Sequence, residues 1–197
     1  MKLIFASHNQ NKTREINQIL GNFIQVYSLT DLGIHEEIPE TGSTLPENAL
    51  LKAQAAADIT GLSVFADDTG LEVEALNGAP GVISARYAGP GKSALANMEK
   101  LLDELQGKSN RNARFVTCIC LIINNEKHLF EGELKGRIGY EMRGEKGFGY
   151  DPLFIPEGDE RTLAELSADE KNSISHRAKA IEKMRLFLET KLGSTQS

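Results

Sequence analysis

The segment Val64-Phe65-Ala66-Asp67-Asp68-Thr69-Gly70 constrains this chain more than any other. Leu62 to Ala66 is an apolar, β-rich run of the kind a buried strand needs, and two carboxylates, a hydroxyl and a glycine follow it at once. Acids at the end of a buried strand are held rigidly where the chain leaves the core, and such strand ends are where open α/β sheets bind ligands. Successive side chains on an extended segment point to opposite sides, so Asp67 and Asp68 are not expected to share one job. One can face inward and be hydrogen-bonded while the other faces a cleft and holds a cation or a water. A plain turn after a strand would use the same residues, because Asp and Gly are ordinary turn formers.

The 197 residues suffice for one substantial core or for two small lobes sharing a cleft. No apolar run approaches the ~20 residues of a membrane span. Lys2-Leu3-Ile4-Phe5-Ala6 is too short an apolar stretch for a secretion signal, so the cytoplasm is the expected compartment. A net charge of −6 without a lysine- or arginine-rich block argues against a duplex nucleic-acid binder. It does not argue against a small anionic ligand, since local lysines and a metal can supply positive charge. Cys118 and Cys120 sit at i and i+2 in an apolar run, about 6.6 Å apart along a strand, which suits buried small hydrophobes better than a disulfide.

Taken in order, Lys2–Ala6 reads as a first strand, Ser7-His8-Asn9-Gln10-Asn11-Lys12 as a polar loop, and Ile16, Ile19 and Leu20 as the apolar stripe of a short helix. Strand, polar loop and helix together present backbone N–H groups and a helix dipole to an anion; a capped helix start with no ligand reads the same way. Ser7 and Asn9 can add donors and Lys12 a charge. The loop lacks the glycines of a P-loop. Gln25–Leu29 can be a second strand, and a glutamate-bearing loop with Glu36, Glu37 and Glu40 follows it. Thr44-Leu45-Pro46-Glu47 is a strong helix start, opening an alanine-rich helix that stops near Gly61. Lys52 lies in its apolar part, where a snorkelling lysine is the ordinary reading.

Leu71–Ala75 alternates as a strand, Gly78-Ala79-Pro80-Gly81 breaks it, and Ser93–Leu105 has helical spacing. Ala113–Ile123 and Lys127–Gly132 read as strands joined by a tight hairpin at Asn124-Asn125, with Leu134–Ile138 a possible extension. Gly144 to Pro152 is the densest glycine region, and Phe148 between two glycines has to dock on something, a base or a core pocket. Leu153–Ile155 reads as a short strand. Ser167-Ala168-Asp169-Glu170 is a second capping box, and an amphipathic helix from about His176 to Leu192 ends in a short tail, Gly193–Ser197. The expected architecture is α/β: one domain over residues 1–197, a mixed central sheet with two lobes flanked by helices, and an active-site cleft between them.

These pieces, in this order, resemble the inosine triphosphate pyrophosphatase family. The residues that carry the resemblance are Ser7-His8-Asn9-Gln10-Asn11-Lys12, Glu40-Thr41-Gly42, Glu47-Asn48-Ala49 with Lys52, and Ala66-Asp67-Asp68-Thr69-Gly70-Leu71. They continue through Gly78-Ala79-Pro80-Gly81, Ser84-Ala85-Arg86-Tyr87, Gly147-Phe148-Gly149-Tyr150-Asp151-Pro152, Ala164-Glu165-Leu166 and Ser175-His176-Arg177. Ser7 and His8 stand where the family usually has threonine and a small residue, and Thr69 where serine is common.

The resemblance implies hydrolysis of non-canonical purine nucleoside triphosphates (ITP, dITP, XTP) to the monophosphate and pyrophosphate, with Mg²⁺ as cofactor, no nucleic-acid or membrane partner, and a homodimer. It implies Asp68 as metal ligand and proton acceptor and Glu40 as a second metal ligand. Lys12, Lys52 and Lys171 would hold the triphosphate, helped by Ser7, His8, Asn9, Gln10, Asn11 and Thr69. Phe148 would stack on the base, and Gly149, Tyr150, Asp151, His176 and Arg177 would complete the nucleoside pocket. The donors of His176 and Arg177 would accept a 6-oxo purine and reject adenine's amino group. A nucleotide sensor without turnover, a phosphatase releasing orthophosphate and a pyrophosphatase for modified pyrimidine nucleotides are the competing readings, and product analysis separates them.

Overall fold

Short-range signals fix most elements of the computed structural model, which describes residues 2–21 and 23–193. Strand β1 (Lys2–Phe5) leads into helix α1 (Gln10–Leu20), capped by Asn9, and strand β2 (Gln25–Ser28) follows. Helix α2 (Leu45–Thr60) begins at Thr44, whose hydroxyl accepts from the Glu47 amide while Glu47 reaches back, and it ends on left-handed Gly61. Then come β3 (Val64–Val73), the two-residue β4 (Pro80–Gly81), α3 (Ala94–Glu104), and β5 (Asn112–Ile123). After β6 (Glu126–Ile138) the chain forms β7 (Phe154–Pro156), α4 (Ala168–Ile174) and α5 (His176–Gly193). The turn between β5 and β6 is made by Asn124 and Asn125, both at left-handed φ, 51° and 62°, as a two-residue hairpin requires. The expected tail from 194 onward lies outside the described residues.

The strand order is β2-β1-β3-β5-β6-β7, with β4 on β3. β1 pairs in parallel with both β2 and β3, whereas β3–β4 and β6–β7 are antiparallel, so the sheet is mixed, with antiparallel pairing in both halves of the chain.

Two expectations are corrected here. Asp67 and Asp68 are not at a strand end or in a turn: β3 runs unbroken through them to Val73, so Leu71–Val73 is no separate strand. Likewise Leu134–Ile138 belongs to the same strand as Glu126–Gly132. The physical reason is pairing: aspartate is depleted in strands but the preference yields to context, and here partners from the helices meet both charges.

The contacts divide the described residues into two compact units built from discontinuous segments. One contains Met1–Asp68, Thr117–Gly132 and Arg177–Ser197; the other contains Thr69–Val116 and Glu133–His176. In the first unit the strands alternate between two apolar layers. Leu3, Phe5, Phe65, Ile119 and Leu121 pack with Ile16 and Leu20 of α1 and Ile181, Met184 and Leu188 of α5. Ile4, Ala6, Val64, Ala66, Cys120 and Ile122 pack instead with Ala49, Ala53 and Ala56 of α2. The three alanines, all wholly buried, let α2 approach the sheet closely. Both cysteines are buried thiols outside any disulfide. The second unit has its own core, around Leu71, Leu101, Phe115, Leu153, Phe154 and Leu163. On α3, Met98 and Leu101 point inward, but Leu95, read as part of the apolar stripe, is exposed.

Candidate active site

The alternation of β3 decides where each acid goes. Phe65 belongs to the layer under α1 and α5, so Asp67, two residues on, faces the same side. There its carboxylate accepts from Lys12 Nζ of α1 at 2.9 Å and from Arg177 Nε of α5 at 3.2 Å. Arg177 also pairs with Glu15 on α1. Ala66 belongs to the layer under α2, so Asp68 faces that helix. It accepts from Lys52 Nζ at 3.1 Å and from Asn48 Nδ2 at 3.2 Å, and the same Lys52 donates to Glu40 at 2.6 Å. Lys12 and Glu15 are three apart on α1, and Asn48 and Lys52 four apart on α2. Each helix therefore presents two polar side chains from one face.

The two acids differ in electrostatics as well as direction. Burial would raise Asp67, but Lys12, Arg177 and Lys52 outweigh it and hold the carboxyl far below its ordinary range. Asp68 goes the other way: burial raises it, against the pull of Lys52 and Lys12, and neighbouring Glu40 adds to the rise. For Lys52, burial is outweighed by Asp68, Asp67 and Glu40, which keep the ammonium firmly protonated. Lys12 is pulled below the usual lysine range by burial, which Asp67 only partly offsets. Asp67 is thus a fixed counter-ion, whereas Asp68 is a carboxylate whose affinity for a proton is enhanced.

In the second unit, Lys171 is buried, pairs with Asp151 Oδ2 at 2.7 Å and sits 4.8 Å from the centroid of the half-buried Phe148 ring. Asp151 also accepts from the Phe148 amide at 2.8 Å. Gly147 makes this possible: a Cβ there would lie 2.1 Å from Asp151 Oδ2, on a backbone with φ of 75°. Tyr150 is buried with its hydroxyl donating to the Ser84 carbonyl at 2.8 Å, and Gly149 beside it is half-buried. His176 is buried and stacked on Phe115, centroids 4.8 Å apart.

The structure thus groups Lys12, Lys52, Glu40, Asp68 and Arg177 within one unit, and Phe148, Asp151 and Lys171 within the other. Lys171, expected alongside the other two lysines, has Asp151 as its partner. His176 and Arg177, expected to offer donors together, are turned to different partners, an aromatic ring and two carboxylates. In the polar loop, Asn9 Oδ1 accepts from the Asn11 and Lys12 amides at 3.0 and 3.3 Å, and Ser7 Oγ accepts from the Asn9 amide at 3.1 Å. The Asn9 side chain therefore occupies the donors that an anion would use. His8 contacts the Thr30 hydroxyl and the Glu36 carbonyl, at 3.3 and 3.0 Å, which ties its loop to the following one. Gln10 and Asn11 are exposed on the first turn of α1, and Thr69 is half-buried on β3 next to Asp68.

A model of the Ham1 family matches residues 3–187. The chain belongs to the Ham1 family. Among its curated relatives, a dITP/XTP pyrophosphatase of Flavobacterium psychrophilum is 56% identical over 180 residues, 91% of this chain and 95% of its own. A dITP/XTP pyrophosphatase of Bacillus subtilis is 48% identical over 190 residues, 94% of this chain and 96% of its own. The solved Ham1 protein of Staphylococcus aureus matches with a TM-score of 0.88 and 43% identity, over 97% of this chain and all of its own.

Within this Ham1 fold the donor set around Lys52 suits a hard divalent cation. Glu40 and Asp68 both reach one ammonium, and Mg²⁺ is commonly held by one or two carboxylates, with phosphates and water completing the shell. Around this ammonium Glu15, Asp67, Lys12 and Arg177 form further ion pairs, Lys12 and Arg177 on Asp67 and Arg177 on Glu15. Among the described residues there is no group of three His, Cys, Asp or Glu able to hold a metal by itself.

Two members of the cluster carry no role in the sequence reading. Glu15 is the first. Its spacing from Lys12 on one helical stripe is the signal that would have found it. Asn48 is the second, one turn before Lys52.

Proposed function

We propose that this chain hydrolyses non-canonical purine nucleoside triphosphates, dITP, XTP and ITP, to the monophosphate and pyrophosphate, in the cytoplasm, as a homodimer and with Mg²⁺. The observation that carries the reading is the pair of adjacent acids on β3, one fixed by Lys12 and Arg177, the other shared with Glu40 through Lys52. Relatives of near-full-length coverage bearing the name dITP/XTP pyrophosphatase support the substrate class.

On this reading Asp68 and Glu40 would hold Mg²⁺, whose chemistry would be to offset negative charge on the phosphates. Asp68, with its raised proton affinity, takes the proton of the attacking water. Lys52 keeps its charge and stabilises the negative oxygens of the leaving pyrophosphate, with Lys12 beside it. Asp67 takes no proton; it orients Lys12 and Arg177. Ser7, His8, Gln10 and Asn11 serve the phosphates from the loop and first turn of α1. In the second unit Phe148 stacks on the base, beside Gly149, Tyr150 and Asp151.

Phosphorus NMR of the products from dITP, XTP, ITP and ATP tests the reading. Monophosphate and pyrophosphate from the first three, with ATP spared, is the expected result. Orthophosphate as the first product, or binding without turnover, overturns it.

A further inference from the structure

The loop that carries Glu40 has no regular structure, yet three consecutive amides behind it are all held by the first turns of α2. Gly42 N donates to Asn48 Oδ1 at 2.8 Å, while Ser43 N and Thr44 N donate to Glu47 Oε2 at 2.7 and 3.2 Å. Glu47 is exposed and completes an ordinary helix cap. Asn48 is wholly buried, and its amide has two ends in use: Oδ1 on Gly42 and Nδ2 on Asp68 Oδ2. Gly42 is sterically required, since a Cβ there would lie 2.7 Å from Asn48 Oδ1 and 2.8 Å from Glu47 Cβ.

We propose that Asn48 is a positioning residue, a buried strut that sets the Glu40 loop against Asp68 so that the two carboxylates keep a fixed separation. This deepens the hydrolase reading and rests on it for the catalytic consequence, but not for the strut itself. The argument is one of connectivity. Lys52 also links Glu40 to Asp68, by hydrogen-bonded ion pairs made from the end of a long four-carbon side chain. When a cation and the phosphates enter, Lys52 is free to turn to the phosphates, and the separation of Glu40 and Asp68 then depends on the strut. A short amide with a donor at one end and an acceptor at the other holds its shape whichever partner Lys52 has.

Three variants test this, each first shown to be folded by circular dichroism. Asn48→Leu keeps the volume and removes both bonds; Gly42→Ala pushes the loop off the strut; Glu47→Ala removes the helix cap without touching Asp68. For Asn48→Leu the expectation is a kcat lower by about 10²-fold with the KM for dITP changed less than about threefold, the size of a small misplacement of a reacting group. Gly42→Ala should fall in the same sense, whereas Glu47→Ala should lower Tm and keep kcat within about threefold, as a cap does. Amide hydrogen exchange at Gly42 in the free protein reads the strut without turnover, and should quicken by about tenfold or more in Asn48→Leu as its bond is lost. Unchanged Gly42 exchange in Asn48→Leu, or a Glu47→Ala variant as inactive as Asn48→Leu, overturns the proposal. A wild-type protein that releases no pyrophosphate from dITP, with Gly42 exchange quickened in Asn48→Leu, sinks the hydrolase reading and leaves the strut standing.

Discussion

Adjacent aspartates of the same side-chain chemistry respond oppositely to pH. Asp67 has a folded-state pKa held below its ordinary value, and an unfolded aspartate titrates near about 3.9. Its contribution to stability is therefore complete above that value and lost as pH falls through and below it. Asp68 is raised, so it costs stability at neutral pH, and the cost is relieved as pH falls through its raised value. Asp68→Asn should lower kcat by about 10²–10⁴-fold while leaving Tm at pH 7 equal to wild type or above it. A clear drop in Tm would show that Asp68 is a structural anchor instead. Arg177 is wholly buried between Asp67 and Glu15, and removing one partner of a buried pair costs about 3–5 kcal/mol. Arg177→Ala should lose that much in urea unfolding. If Arg177 works through these acids, kcat/KM for dITP and for ATP should fall by the same factor; a larger fall for dITP would make it the base-selecting donor.

At the scale of elements, the helix starts are the most legible features of the chain. Thr44 and Ser167 each cap a helix and receive a glutamate three residues on, as their sequences indicate. Thr44→Ala should cost about 0.5–2 kcal/mol by thermal unfolding, and it loosens the turn that grips the Glu40 loop. Glu170 is held to about 2 by the Ser167 amide first and then by the Ser167 hydroxyl and Arg161. Its cap is therefore intact at neutral pH and lost only as pH falls from the ordinary glutamate range toward 2, and Glu170→Gln should flatten that part of the acid-unfolding curve. The strands were less legible. A run of Asp-Asp-Thr-Gly reads locally as a turn, and only partners on α1, α2 and α5 keep β3 extended through it.

Over the whole molecule, both compact units are assembled from segments distant in sequence: Arg177 returns to the unit that begins at the N-terminus, and Thr117–Gly132 joins it from the middle. No helix of the described residues is long and apolar enough to cross a membrane. Glu40 and Asp68 meet on one ammonium, and a cation held by those two carboxylates is predicted to serve turnover and not folding. Adding EDTA should abolish pyrophosphate release and leave Tm within about 2 °C of the untreated protein. A shift beyond about 2–4 °C, which corresponds to roughly 1 kcal/mol in a chain of 150–250 residues, would mean that the metal is part of the fold.

What the sequence determined by itself is local: the period-2 alternation that sends Asp67 and Asp68 to opposite faces, the two capping boxes, the hairpin at Asn124-Asn125, and the ordered motifs by which family membership is recognised. These depend on neighbours a few residues apart, and a linear reading contains them. What only the tertiary structure decided is the partnership of each charge. Lys171 meets Asp151, Arg177 meets Asp67 and Glu15, and Asn48 links Gly42 to Asp68. Most of these pairs are separated by 20 to 162 residues, and a charge has no direction until packing gives it one.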